Sequence, residues 1–264
     1  MKLLALDSSG LVASAAILHG EEVVAEYTVN YKKTHSQTLL PMVDEIVKMT
    51  ETDLADMDAI AVAAGPGSFT GLRIGSATAK GLGLALNKDL ISVPTLEGLA
   101  YNYYGYPGLI CPVMDARRQQ VYTGIYRFEG DPSGTDSFKI LQDQTACPVE
   151  EITDKLNQIA ALSRESQGFD SPVIFLGDGV PAYRDLIQKG MKVPFLFAPP
   201  QMNRQRAASV GKRGMDLYAA GKKESAADHS PVYIRKSQAE RELIARGGSL
   251  EKEIAKTVHN SIPD

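Results

Sequence analysis

KLLALD opens the chain, four apolar residues between a lysine and an aspartate. A short unbroken apolar run closed by a charge predicts a buried strand ending at Asp7. SSG turns the chain, LVASAAILH is a second apolar run, GEE is a hairpin turn, and VVAEYTV is a third strand rich in β-branched residues. The period then changes. Leu39, Leu40, Val43, Ile46 and Val47 fall at helical spacing and predict a helix from about Ser36 to Met49, with Ser36 as N-cap. AIAVAA is again a buried strand, followed by a loop, a helix from about Thr70 to Leu86, and the short strand LISV.

From Leu109 the same order returns. LICPVMD is a buried strand closed by Asp115, QVYTGIYRF alternates as a second strand, and SFKIL is a candidate third. PVEEITDKLNQIA is a helix with Val149, Ile152, Leu156 and Ile159 on one face; PVIFLG is a strand and PAYRDLIQK a helix. Each half thus reads β-β-β-α-β-α, with an aspartate closing the first strand and a glycine turn after the fourth: Gly65-Pro66-Gly67 in one half, Gly177-Asp178-Gly179 in the other. This predicts an α/β chain of two duplicated lobes, 1–104 and 105–236, with a tail over 237–264. The helix at about 205–220 has the option of packing back on the first lobe. The plan resembles that of the actin-like and sugar-kinase ATPases, in which a nucleotide sits between the lobes. On that plan the candidates to face it are Asp7, Ser8, Ser9, Gly10 and Asp115, if only as a vestigial site. The competing reading of DSSG is an Asx-type turn, in which Asp7 bonds the amides beyond it. If Asp7 and Asp115 only fix turns, replacing either with Asn should cost about 0.5–3 kcal/mol of stability.

Composition narrows the function classes. The 264 residues carry a net charge of -4, so a tight autonomous grip on nucleic acid is not expected. Two cysteines, Cys111 and Cys147, do not make a disulfide framework. Asp7 interrupts the N-terminal apolar run too early for a signal peptide, and no run reaches the ~20 residues a membrane span needs. The expectation is a cytoplasmic protein.

GPGSFTGLR, Gly65 to Arg73, poses the main chemical question. It lacks the Gly-Lys-Ser/Thr of a phosphate-binding P-loop, and its glycines are spaced too widely for a dinucleotide fingerprint. The expectation is a tight turn with Ser68 or Thr70 capping the helix. That helix is unusually rich in glycine, each costing about 0.8–1 kcal/mol against alanine. Its small residues form two stripes: Gly71, Gly75, Ala79 and Gly83, and Ala77, Gly81 and Ala85. One stripe can pack on the chain's own sheet; two suggest a second neighbour, either the Ser36–Met49 helix or another chain. Catalytic candidates are thin. The four histidines are scattered, His35 has no second histidine one turn on, and neither cysteine has a histidine close in sequence. The arginines of DARRQQ read as a solvated hairpin, with a phosphate or RNA contact as the alternative, and the basic stretch from Asn203 as a solvated helix face, with RNA contact in a larger assembly as the alternative. Leu250, Ile254 and Val258 in the tail stand one turn apart.

LALDSSG, HSQTLLP, GPGSFTGLRIG, VPTLEGLA, DARRQQVY, LGDG and PVYIRK stand in the order they have in the bacterial TsaB family, which this chain resembles over nearly all its length to about Glu240. The first turn departs from the family's usual Asp-Thr-Ser-Thr, having Ser8 and Gly10 in place of the threonines. The resemblance implies an actin-like, ribonuclease H-like fold with a reduced second lobe. It also implies a non-catalytic paralogue of the subunit that transfers threonylcarbamoyl to adenosine 37 of ANN-decoding tRNAs. The catalytic relative carries a His-x-x-x-His metal pair; here only His35 remains, with Leu39 at the second position, so neither catalytic nor metal residues are expected. Implied partners are that TsaD-like transferase subunit, a TsaE-like ATPase subunit, a second copy when alone, and tRNA through the complex only; ATP is used by the assembly, with no intrinsic cofactor. The implied partner face lies on the two helices, with Leu39, Met42, Val43, Gly75, Ala77, Thr78 and Gly81 as candidates. The alternatives are an ATP-dependent small-molecule kinase of the same fold and, last, a peptidase.

Overall fold

Two five-stranded sheets with the same strand order make up the protein, seen in a computed structural model that describes residues 1–130, 137–167 and 171–235. The first sheet contains β1 (Lys2–Asp7), β2 (Ala13–His19), β3 (Glu22–Val29), β4 (Ala59–Gly65) and β5 (Asp89–Pro94) in the order β3-β2-β1-β4-β5. The second contains β6 (Ile110–Asp115), β7 (Val121–Phe128), β8 (Phe138–Cys147), β9 (Val173–Leu176) and β10 (Phe195–Phe197) in the order β10-β9-β6-β7-β8. In each, the first three strands form an antiparallel meander and the last two run parallel to the first. This is the duplicated actin-like architecture. Both sheets lie within one unit, Met1–Val232; Tyr233–Asp264 form a second, and the predicted tail helix lies outside the described residues.

Strand alternation assigns each sheet two apolar faces. Leu4, Leu6 and Ile60 face α1 (His35–Thr50) and α2 (Phe69–Leu86), while Leu3, Ala5 and Ala61 face α6 (Ala207–Ala219). In the second sheet Cys111, Val113 and Phe175 face α4 (Val149–Gln167) and α5 (Val180–Gly190). Its other face, with Ile110, Tyr126 and Leu176, packs on α3 (Thr95–Ala100). A nearly buried ion pair, Arg213 Nη2 to Glu97 Oε2 at 2.6 Å, ties α6 to α3. The order of elements in both halves is as the sequence pattern predicts. The sequence pattern does not predict α3 or β10. α3 has all six residues buried and so shows no periodicity, and β10 is only three residues long. The Ser36 cap is corrected: α1 begins at His35 after Thr34, without a side-chain cap bond.

Candidate functional site

The GPGSFTG loop is built around the DSSG turn. Asp7 Oδ1 accepts from Ser9 N–H at 2.8 Å and Ser9 Oγ–H at 2.6 Å, an Asx turn that closes β1. Ser8 Oγ donates to the Gly71 carbonyl at 2.9 Å, and Ser68 N–H donates to the Ser9 carbonyl at 2.7 Å. Ser68 also caps α2, accepting from Gly71 N–H at 3.3 Å. The glycines make this approach feasible: a Cβ at Gly67 would overlap the Ser9 carbonyl oxygen, and one at Gly71 that of Ser8. Gly65 sits at φ +123°, against the Val232 carbonyl. The Ser8 and Ser9 hydroxyls and the Ser9, Ser68 and Gly71 amides are thus engaged within the chain. These groups hold the turn and the helix start together rather than standing open to a phosphate.

The rest of the first turn is similarly occupied. Gly10 packs on the buried Gln205 side chain, and its carbonyl accepts from His35 Nε2–H at 2.9 Å. Burial pushes the Asp7 carboxyl up to about 6 against the Ser9 bonds; His35 lowers it and Asp178 raises it. Burial also raises Asp178, opposed by the Arg204 guanidinium. Asp178 Oδ1, Gln205 Oε1 and Arg204 Nη1 have no hydrogen-bond partner among the described residues. In the second half Asp115 closes an equivalent turn, accepting from Arg117 N–H at 2.8 Å and from Tyr183 Oη–H at 3.2 Å. Arg117, Arg118 and Gln119 are all left-handed, at φ 64°, 56° and 59°, so DARRQQ is a tighter turn than a plain hairpin.

The two stripes on α2 separate cleanly. Gly71, Gly75, Ala79 and Gly83 are buried, while Ala77, Gly81 and Ala85 are exposed, beside the exposed Leu84. A Cβ at Gly81 would meet nothing within 4 Å. Four partner-face candidates are corrected. Leu39, Met42 and Val43 are buried in the core between α1 and the first sheet, and Gly75 lies under Ser8 Oγ, so these four expose little surface to another chain, Val43 only at the floor of an open hollow and Met42 at that of a groove. Ala77, Thr78 and Gly81 stay on the accessible side. Beside them, exposed Leu40 with Val47, Leu54 and Leu82 lines an apolar hollow of about 480 Å³ between α1 and α2.

Sequence reasoning missed one buried cluster. His229 Nε2 stands 2.9 Å from Ser76 Oγ, and its Nδ1 is 2.8 Å from Glu224 Oε1 and 2.9 Å from Ser92 Oγ. The order resembles a hydrolase triad, but Ser76 and His229 are only 4% and 2% exposed. Lys80 Nζ donates to the Ala227 and His229 carbonyls, and Leu90 and Glu224 exchange backbone bonds. The cluster thus clasps the segment after α6 onto α2 and β5. No sequence spacing signals it, because Ser76 and His229 are 153 positions apart. Burial also pushes the Cys111 thiol up to about 12 and that of Cys147 up to about 11, far from the thiolate a nucleophile needs. Among the described residues no group of three or more His, Cys, Asp or Glu is placed to hold a metal, and no helix is long and apolar enough to cross a membrane.

Comparison with known proteins defines the class first. Residues 22–243 match the family model of TsaD, tRNA N6-adenosine threonylcarbamoyltransferase. The solved structure of YeaZ from Pseudomonas aeruginosa superposes with a TM-score of 0.69 at 26% identity, covering 88% of this chain and 99% of that one. More particularly, the tRNA threonylcarbamoyladenosine biosynthesis protein TsaB of Bacillus subtilis is 33% identical over 92% of this chain and 98% of its own length. That of Escherichia coli is 27% identical over 92% and 98%. The chain belongs to the TsaB family.

Proposed function

We propose that this protein is a cytoplasmic, non-catalytic scaffold and activator in the synthesis of threonylcarbamoyladenosine at position 37 of ANN-decoding tRNAs. It binds and stabilises the TsaD-like transferase subunit. A TsaE-like ATPase subunit joins the assembly, ATP is used by the whole, and tRNA is met only through the complex. Alone, the chain pairs with a second copy through the same face. The observation that carries this reading is the exposed stripe Ala77, Gly81 and Ala85 on a helix whose other stripe is fully buried. A helix that carries only alanine and glycine along one solvent-side stripe, with the glycine costing propensity, is shaped for close approach by another helix. The internally bonded turns and the buried His229 cluster offer no equally accessible site for chemistry.

Gly81→Arg tests it. Arginine is the better helix former and finds open space on the single chain, so at dilutions where the wild type is monomeric the variant should melt at or above the wild-type temperature. In the complex the side chain would hold two backbones apart and place a charge in a desolvated seam. Affinity for the TsaD-like subunit of the same organism, read by titration calorimetry, should fall at least ~30-fold, about 2 kcal/mol. Unchanged affinity with a normally folded variant would remove this face from the interface. ATP turnover by the pure chain at about 1 s⁻¹ or above would instead favour the kinase reading.

A further inference from the structure

On the opposite flank of α1 lies a larger groove, about 1220 Å³, between that helix and the edge strand β3. β3 pairs only with β2, and no backbone group along it bonds to another element among the described residues. An eight-residue edge strand therefore presents a row of open N–H and C=O groups. Tyr27 on β3 and Ile46 and Met49 on α1 line the groove, with Tyr31 at one end; Tyr31 and Met49 are 68% and 77% exposed. The walls match in length: eight strand residues span ~26 Å and sixteen helical residues ~24 Å. An extended segment of seven or eight residues, at ~3.3 Å each, fills that length.

Charge fixes what kind of segment fits. β3 and α1 run in opposite directions along the groove, so the end of β3, Lys33 and the start of α1 share one end. Neither Lys33 nor Glu45, further along the helix, forms an ion pair among the described residues. α1 also starts without a side-chain cap two residues beyond Lys33, so its positive dipole end lies at that end of the groove. We infer that this groove receives an extended peptide segment of a partner protein, added to β3 as a further strand, with apolar side chains at alternate positions against Ile46 and Met49 and an acidic residue at the Lys33 end. Main-chain bonds would supply affinity, and the alternate side chains and the acid specificity. This surface is separate from the α2 stripe and does not rest on the assembly proposed above.

The test uses the full chain and capped eight-residue peptides alternating valine and threonine, with an aspartate pair at one end or the other, followed by fluorescence anisotropy. One aspartate probe should saturate below ~1 mM, and its lysine-ended counterpart should bind at least tenfold more weakly. Met49→Glu and Lys33→Glu should each weaken binding about tenfold or more while leaving the melting temperature unchanged, both side chains being exposed. N-methylation of alternate amides on one edge of the probe should abolish binding, since it removes the strand bonds and keeps the side chains. No binding by either aspartate probe, or binding indifferent to both substitutions or to N-methylation, overturns the proposal. Self-association of the chain lost in Met49→Glu, without peptide binding, overturns it in favour of a second copy.

Discussion

Gly71→Ala is expected to destabilise the protein by at least about 4 kcal/mol, although alanine is the better helix former by about 1 kcal/mol. The added Cβ would overlap the carbonyl oxygen of Ser8, a backbone atom in a turn that is itself bonded to this loop. Relief requires α2 to withdraw from the DSSG turn. That would weaken the Ser8 to Gly71 and Ser68 to Ser9 bonds together and loosen the buried Leu72. For a chain of this size the melting temperature should fall by roughly 8–15 °C. Gly81→Ala on the same helix is the control. Its Cβ meets nothing within 4 Å on the single chain, so at dilutions where the chain is monomeric propensity alone acts and the variant should gain up to about 1 kcal/mol. Urea unfolding of the two variants reads both signs at once. A Gly71→Ala protein within about 1 kcal/mol of wild type would show that the turn and the helix start are not rigidly packed.

The opposite signs expected for one substitution on one helix mark where sequence reading stops. The stripes Gly71–Gly75–Ala79–Gly83 and Ala77–Gly81–Ala85 are both plain in the sequence, because spacing by four places residues on one side of a helix. Which stripe faces the core depends on how α2 is rotated over β4, and spacing carries no rotation. Leu39, Met42 and Val43 met the same limit. Their helical period is legible, but the period marks an apolar face without saying whether the chain or a partner covers it. The duplicated element order was legible because apolar runs and helical periods alternate strongly in both halves. The GPGSFTG loop was legible as a turn and cap; that it holds the DSSG turn required tertiary contacts across 63 positions, from Ser8 to Gly71. The His229 clasp and the closing of Gln205 on Gly10 are of the same kind.

Asp7 is the position where the structure adds a pH dependence to an expectation from sequence. An aspartate that only fixes a turn should cost stability when changed to asparagine, and here burial also pushes its carboxyl up to about 6 from an ordinary 3.8. The folded protein thus holds this proton more tightly than the unfolded chain. The resulting stabilisation is complete below about pH 4 and is lost as pH rises through 6. At pH 7.5 the ionised carboxylate costs the fold about 3 kcal/mol relative to acid, at about 1.4 kcal/mol per pKa unit. The side chain of an Asp7→Asn variant would keep an oxygen to accept both Ser9 bonds and would carry no charge to bury. Its amide brings one new donor group, a cost that is the same at every pH. The difference between variant and wild type should therefore move in the variant's favour by about 2–3 kcal/mol between pH 4 and pH 7.5. Groups titrating alike in both proteins cancel in that difference; His35 and Asp178, the charges that act on Asp7, are the ones to follow alongside. Urea unfolding of both proteins at the two pH values makes the measurement. A stability difference that stays constant across this range would mean that Asp7 is ionised in the fold at little cost, and that the turn is more open to water than its 1% exposure indicates.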